Sequence, residues 1–152
     1  MDNSFGSAPG ANEIKGDERM LGLFSHLSLF LGGILVPIIF WATNKDKSKF
    51  VTFHSLQALW FHIAYIVVII LMVIILVIIG AGFGLLSAGL HGSHAGGAFI
   101  VIFMVAFYGA LFLSIFGCMA YSIYMGIKAY HGELKKYPII GNIIYKKVYG
   151  NA

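Results

Sequence analysis

Between Phe50 and Ile127 the sequence contains no Asp, Glu, Lys or Arg, a stretch of 78 residues without a permanent charge. A soluble domain devotes about a quarter of its residues to charge, and those groups keep its surface wet; here the whole chain reaches only 11%. The lack excludes a water-exposed fold for the middle of the chain. Cysteine is almost missing as well: Cys118 stands alone, inside an apolar run, so no internal disulfide can form. Every Asp and Glu lies outside the apolar runs, which leaves only His or Tyr for acid–base chemistry at membrane depth. Gly80, Gly82, Gly84 and Gly89 are followed by no Lys-Ser/Thr pair and so make no phosphate loop. No Ser/His/Asp constellation and no nucleotide fingerprint is present, and the chain reads as a non-enzyme that needs no cofactor. The opening residues also lack the basic start and immediate apolar core of a secretory signal.

What the sequence has is hydrophobicity. Of its 152 residues 59% are hydrophobic, and the mean hydropathy is +0.88. The charges gather in three places. Residues 1–19 carry a net −2, residues 43–53 a net +2 through Lys45, Lys47 and Lys49, and residues 128–152 a net +4. A pI near 9.2 could suggest nucleic acid. These lysines instead flank apolar segments, where they meet anionic headgroups and set orientation. The expected partners are the lipid bilayer and other membrane proteins or further copies of the chain, with no nucleic acid.

Three apolar stretches, about 20–43, 56–83 and 98–127, define a membrane domain over residues 17–131. It follows a flexible tail at 1–16, rich in Gly, Ser, Asn, Pro and Ala, and precedes an amphipathic tail at 132–152. A hydrocarbon core of about 30 Å needs about 20 helical residues, so the second and third stretches span with length to spare. Ile66 to Ile79 reads IVVIILMVIILVII, aliphatic on every face. The first stretch is interrupted by Gly32, Gly33 and Pro37. It can be one kinked span or two half-helices that enter and leave by the same face, since broken backbone at membrane depth is tolerated against protein or water. The fold class is all-α, a small polytopic transmembrane helical bundle. Ile139, Ile140, Ile143, Ile144 and Val148 recur at helical spacing beside Lys146 and predict a short interfacial C-terminal helix. Lys counts place the 43–53 loop and the C-terminal tail on the cytoplasmic side of the membrane.

In the third stretch Ala106, Ala110, Ser114, Cys118, Ser122 and Gly126 are all small and lie four apart. They form one slowly winding stripe, and small residues let another backbone approach closely in lipid. The stripe predicts a packing face within the bundle or between copies.

Polar residues are few. His54, Gln57 and His62 fall on roughly one face of the first turns of the second stretch, and His26 lies in the first. Intramembrane polar groups are candidates for function. Three imidazoles could bind a metal or haem; the plainer reading has His54 and Gln57 capping helix ends or bonding to the 45–49 loop. His91 and His94 are a weak metal signal without Cys or carboxylate partners.

The run NKDKSKFVTFHSLQALWF (Asn44 to Phe61), with FSHLSLFLGG (Phe24 to Gly33), VPIIFW (Val36 to Trp41) and KAYHGELKKYPIIGNI (Lys128 to Ile143), resembles the Tic-twenty-like family. These are small membrane proteins related to a component of the chloroplast inner-envelope import machinery, with many prokaryotic relatives. The shared pattern falls on Lys45, Phe50, His54, Gln57, Ala58 and Phe61, and on Lys128, Gly132, Glu133 and Pro138. The expected role is an accessory or scaffold subunit of a membrane complex that acts by packing against partners; the resemblance implies a link to protein translocation and a prokaryotic cytoplasmic membrane. The chain shows three long apolar runs where the plant protein is described with four spans. An oligomeric channel or small transporter, and a metal- or haem-binding membrane protein, stand as the alternatives.

Overall fold

The structure is a computed structural model, and it describes residues 13–31, 33–89 and 94–150. The tail expected at 1–16 lies mostly outside the described residues, and the His91–His94 pair lies outside the described side chains. The described residues form five α-helices and no strand: α1 (Gly16–Leu31), α2 (Leu35–Asn44), α3 (Lys49–Gly89), α4 (His94–Tyr130) and α5 (Ile140–Tyr149). The fold is all-α. Helices α3 and α4 run past the apolar stretches that announced them, because a helix keeps its hydrogen-bond ladder beyond the oil. Ser48 starts α3 by accepting the Val51 backbone N–H at 3.2 Å. Gly132, at φ +80°, receives the chain just after α4 ends.

The chain divides into two compact units. One is Tyr65–Cys118. Its helical segments 65–86 and 97–118 each cover about 33 Å at a rise of 1.5 Å per residue, close to one hydrocarbon thickness. Both belong to helices long and apolar enough to cross a membrane, Lys49–Leu86 and Gly97–Tyr130. Aliphatic side chains point outward, with Val77, Ile78, Val101, Ile102 and Val105 all exposed. Inside the unit Phe83 meets Phe99 at 4.5 Å between ring centres, and the Ser114 hydroxyl donates to the Met72 sulfur at 3.8 Å. A surface of this kind is stable in lipid and insoluble in water; the chain is an integral membrane protein.

The other unit joins residues 13–64 to 119–150. Here the interrupted first stretch becomes two helices. α1 closes with the Gly33 N–H donating to the Ser28 carbonyl at 2.7 Å, with Gly33 at φ +55°. Pro37 sits in the first turn of α2, where its missing N–H has no helical partner to lose. At about 24 Å and about 15 Å neither helix reaches across a bilayer. Ile14, just ahead of α1, and Phe40, near the end of α2, both pack on the cluster of Phe50, Val51 and Ala129. The chain therefore leaves and returns to the same place, the first turns of α3. The 44–48 link is tight: the Asn44 carbonyl accepts the N–H groups of Lys47 and Ser48 and the Thr52 hydroxyl. A second cluster, Phe53, Leu56, Ile144 and Tyr149, fastens α5 to α3, with Trp41 of α2 against it.

Candidate functional site

Near the start of α3 the apolar pattern gives way to polar side chains that water does not reach. Residues 51 to 58 are all buried, an entire two turns with no wet face. Such burial requires neighbours on every side: α1 and α2, the last turns of α4 and the segment after it supply them.

The centre is a pair of imidazoles. His26 of α1 and His54 of α3 are both fully buried, and His26 Nε2 lies 3.1 Å from His54 Nδ1. His26 Nδ1 lies 3.2 Å from the Tyr137 hydroxyl. A neutral imidazole has one donor and one acceptor nitrogen. Either the tyrosine hydroxyl donates to His26 and His26 donates to His54, or both bonds run the other way. The line from Tyr137 to His54 thus holds its protons in one of two concerted arrangements. His54 Nε2 and both nitrogens of His62 are buried without a hydrogen bond of ordinary geometry among the described residues.

Serines close the sides of the pair. Ser25 and Ser55 share a hydroxyl–hydroxyl bond at 3.0 Å between α1 and α3. The Ser122 hydroxyl of α4 donates to the His26 carbonyl at 2.7 Å. α1 can lie this close because Gly22 and Gly126 give it room: a Cβ on Gly22 would stand 3.1 Å from the Phe50 ring, and one on Gly126 would stand 3.3 Å from the Leu23 carbonyl. Where the hydrophobic effect fades, packing and interhelical hydrogen bonds hold helices together.

Gln57 holds the floor. Its amide nitrogen donates to the Lys135 carbonyl at 3.1 Å, and its oxygen accepts the Tyr137 N–H at 2.8 Å. One side chain thereby satisfies two backbone groups of an extended segment. Tyr137 is then stacked on Phe61, with ring centres 4.5 Å apart and planes 10° from parallel. Outside the spans, burial, followed by the neighbouring Tyr145, holds the Tyr149 hydroxyl above the ordinary phenol range.

The structure distributes the sequence candidates unevenly. It brings His26, Phe50, His54, Gln57, Ala58 and Phe61 into this unit's interior or against it. Gly132 is buried; Lys45, Glu133 and Pro138 are exposed, and Glu133 pairs with Lys128 at 2.9 Å. His54 and Gln57 do not bond to the 45–49 loop as one reading expected. They turn to His26 and to the 135–137 segment, because α3 faces the interior there. Of the small-residue stripe, Ser122 and Gly126 lie buried under α1, Ser114 meets Met72, Cys118 is half-buried, and Ala106 and Ala110 are exposed. Sequence reasoning missed Tyr137 and Ser122 as partners of His26, and Ser55 as the partner of Ser25. Nothing in a linear pattern joins Tyr137 to a residue 111 positions earlier.

The arrangement suits a structural network better than a metal centre. Both nitrogens of His26 are engaged, and among the described residues no group of three or more His, Cys, Asp or Glu is placed to hold a metal ion.

No curated protein and no solved structure matches the chain. The resemblance to the Tic-twenty-like family is overturned: the family that matches is a different one, and the translocation role falls with the resemblance. Of the residues that suggested it, Phe50, His54, Gln57, Ala58 and Gly132 are buried, while Lys45, Glu133 and Pro138 are exposed. The match covers residues 17–144, from the first turn of α1 into α5, and by it the chain belongs to the MamF/MmsF family, described as the magnetosome magnetite crystal formation protein family.

Proposed function

We propose that this chain is a non-enzymatic accessory protein of the magnetosome membrane that takes part in magnetite crystal formation by packing against other membrane proteins or copies of itself. The observation that carries the reading is the family match across 17–144, and the geometry supports it. In the 13–64 and 119–150 unit Tyr137, His26, His54 and Ser122 bond to one another across elements, which suits a scaffold, while the Tyr65–Cys118 hairpin turns apolar surface outward. Exposed Ala106 and Ala110 continue the small-residue stripe onto a face open to a partner helix. In this reading the hairpin spans the bilayer. The start of α1, the lysine loop at 45–49 and the C-terminal tail share the cytoplasmic side.

The test is deletion and complementation in a magnetite-forming bacterium that carries the chain. Electron microscopy should show crystals altered in size or shape without it and restored by the intact chain. Mild-detergent purification followed by mass spectrometry should return membrane-protein partners or a homo-oligomer. Unaltered crystals in the deletion strain would overturn the role in crystal formation; a solitary monomer in mild detergent would overturn the packing mechanism.

A further inference from the structure

Among the described residues, the segment between α4 and α5 holds the non-glycine residue with a positive φ. Ile139 has φ +64° and ψ −66°, and the Ile140 N–H donates to the Pro138 carbonyl at 2.7 Å. This is a γ-turn of the rare, strained hand, and a β-branched residue is the worst choice for its centre. Gly or Asn would be the ordinary occupant. Here the turn instead thrusts an isoleucine outward, 80% exposed, in front of α5. Strained conformations persist where the surrounding structure holds them, and they concentrate at functional sites.

Ile139 is not isolated. Ile143, one turn into α5, is 64% exposed, and Trp60 of α3 is 51% exposed. Trp60, Ile140, Ile143 and Ile144 line an apolar groove of about 190 Å³. Around this apolar surface stand four exposed lysines, Lys135, Lys136, Lys146 and Lys147. Lys136 is fixed in place over the Tyr145 ring, 3.7 Å from its centre. Trp60 is of the residue type that gathers at the headgroup level of membrane helices.

We infer that the Pro138–Ile144 turn and helix form a docking surface for anionic phospholipid. Ile139 and Ile143 enter the headgroup layer, an acyl chain lies in the groove against Trp60, and the four lysines take the lipid phosphates. Apolar side chains flanked by lysines are the pairing that interfacial segments use, and the lysines select negative headgroups over neutral ones. Charge complementarity favours anionic lipid: four exposed lysines lie on the 135–147 segment, while the nearest acid along the chain, Glu133, is already paired with Lys128. The inference rests on the hairpin spanning the bilayer.

The full chain with Cys118→Ala and Ile143→Cys carries a spin label at position 143. It is reconstituted into phosphatidylcholine vesicles with and without about 30% phosphatidylglycerol, and the depth of the label is read from oxygen and nickel-chelate collision rates. The expected result is a label shielded from the nickel chelate by about tenfold in anionic vesicles, with the shielding reduced by half-molar salt and by Lys→Gln at positions 135, 136, 146 and 147. A label equally wet in both compositions overturns the inference. So does spin–spin broadening between labels, which would assign the surface to a second copy. Flotation separates the two readings: a chain that does not float with vesicles fails the membrane placement itself, while one that floats with a wet label fails only the docking surface. Ile139→Asp, a change at an exposed side chain, should lose the shielding while the chain still floats.

Discussion

Gly141, the second residue of α5, should not tolerate one extra methyl group. A Cβ built there would stand 2.6 Å from Lys136 Cβ, 2.8 Å from Lys136 Cα and 2.7 Å from Gln57 Oε1. Real Cβ contacts do not come this close, and two of the three neighbours have no flexible tip to swing away. Forcing such a group into a packed site costs about 1–3 kcal/mol. The least costly escape displaces Gln57, whose two hydrogen bonds hold Lys135 and Tyr137. A buried backbone group that loses its partner costs about 1–3 kcal/mol. Against this, alanine gains about 1 kcal/mol of helix propensity over glycine. The net for Gly141→Ala is a destabilisation of about 1–5 kcal/mol. For a chain of this size that lowers the melting temperature in mild detergent by roughly 2–20 °C. Gly82→Ala and Gly117→Ala are the controls: nothing lies within 4 Å of either new Cβ, so helix propensity alone should leave stability unchanged or slightly raised. The assay is the loss of the monodisperse chromatographic peak after heating. If Gly141→Ala melted with its controls, the placement of the 135–137 segment under α5 would be wrong.

Gln57→Leu should free the same segment without a steric clash; trypsin cleavage after Lys135 and Lys136 should speed up several-fold, and unchanged cleavage would refute the clamp. His54→Ala leaves His26 Nε2 without its partner in a buried site, a loss of about 1–3 kcal/mol. His62, whose nitrogens make no such bond among the described residues, should be replaced by Phe at lower cost, and equal costs would deny the His26–His54 pair its role. Replacing Ser114 and Cys118 together by Leu should disrupt assembly, read as altered migration in mild detergent. Ser122→Val removes the bond to the His26 carbonyl and should lower stability by about 1 kcal/mol, with no effect on insertion.

The membrane character of the chain was legible because it depends on composition alone, and 78 residues without charge leave no other solvent for α3 and α4. The fate of residues 20–43 was narrowed to two readings and no further. Gly33 and Pro37 announce a break, yet whether a broken helix continues or turns back depends on what Ile14 and Phe40 pack against, and both find the cluster around Phe50. The histidines were noticed as polar groups in apolar surroundings, which is a local signal. Their pairing was invisible, since it is made by residues 28 apart joined through a fold. The same holds for Gln57: its burial could be guessed from its place in an apolar run, but its partners come from a segment that hydropathy marks only as a loop. Ile139 carried an opposite fault. Its hydrophobicity suggested a residue on the apolar face of α5, and a strained turn places it outside.

The central claim is that the first apolar stretch turns back, so that the start of α1, the 44–48 link and α5 share one face of the bilayer. Single cysteines at Lys15, Lys47 and Asn142, each in a Cys118→Ala background and each at an exposed position, can be challenged with a membrane-impermeant maleimide in sealed vesicles of known orientation. All three should react from the same side, and a cysteine at Ala98 should react only from the other. Labelling of position 15 together with position 98, and apart from 47 and 142, would mean that residues 20–43 cross the membrane and would contradict the account.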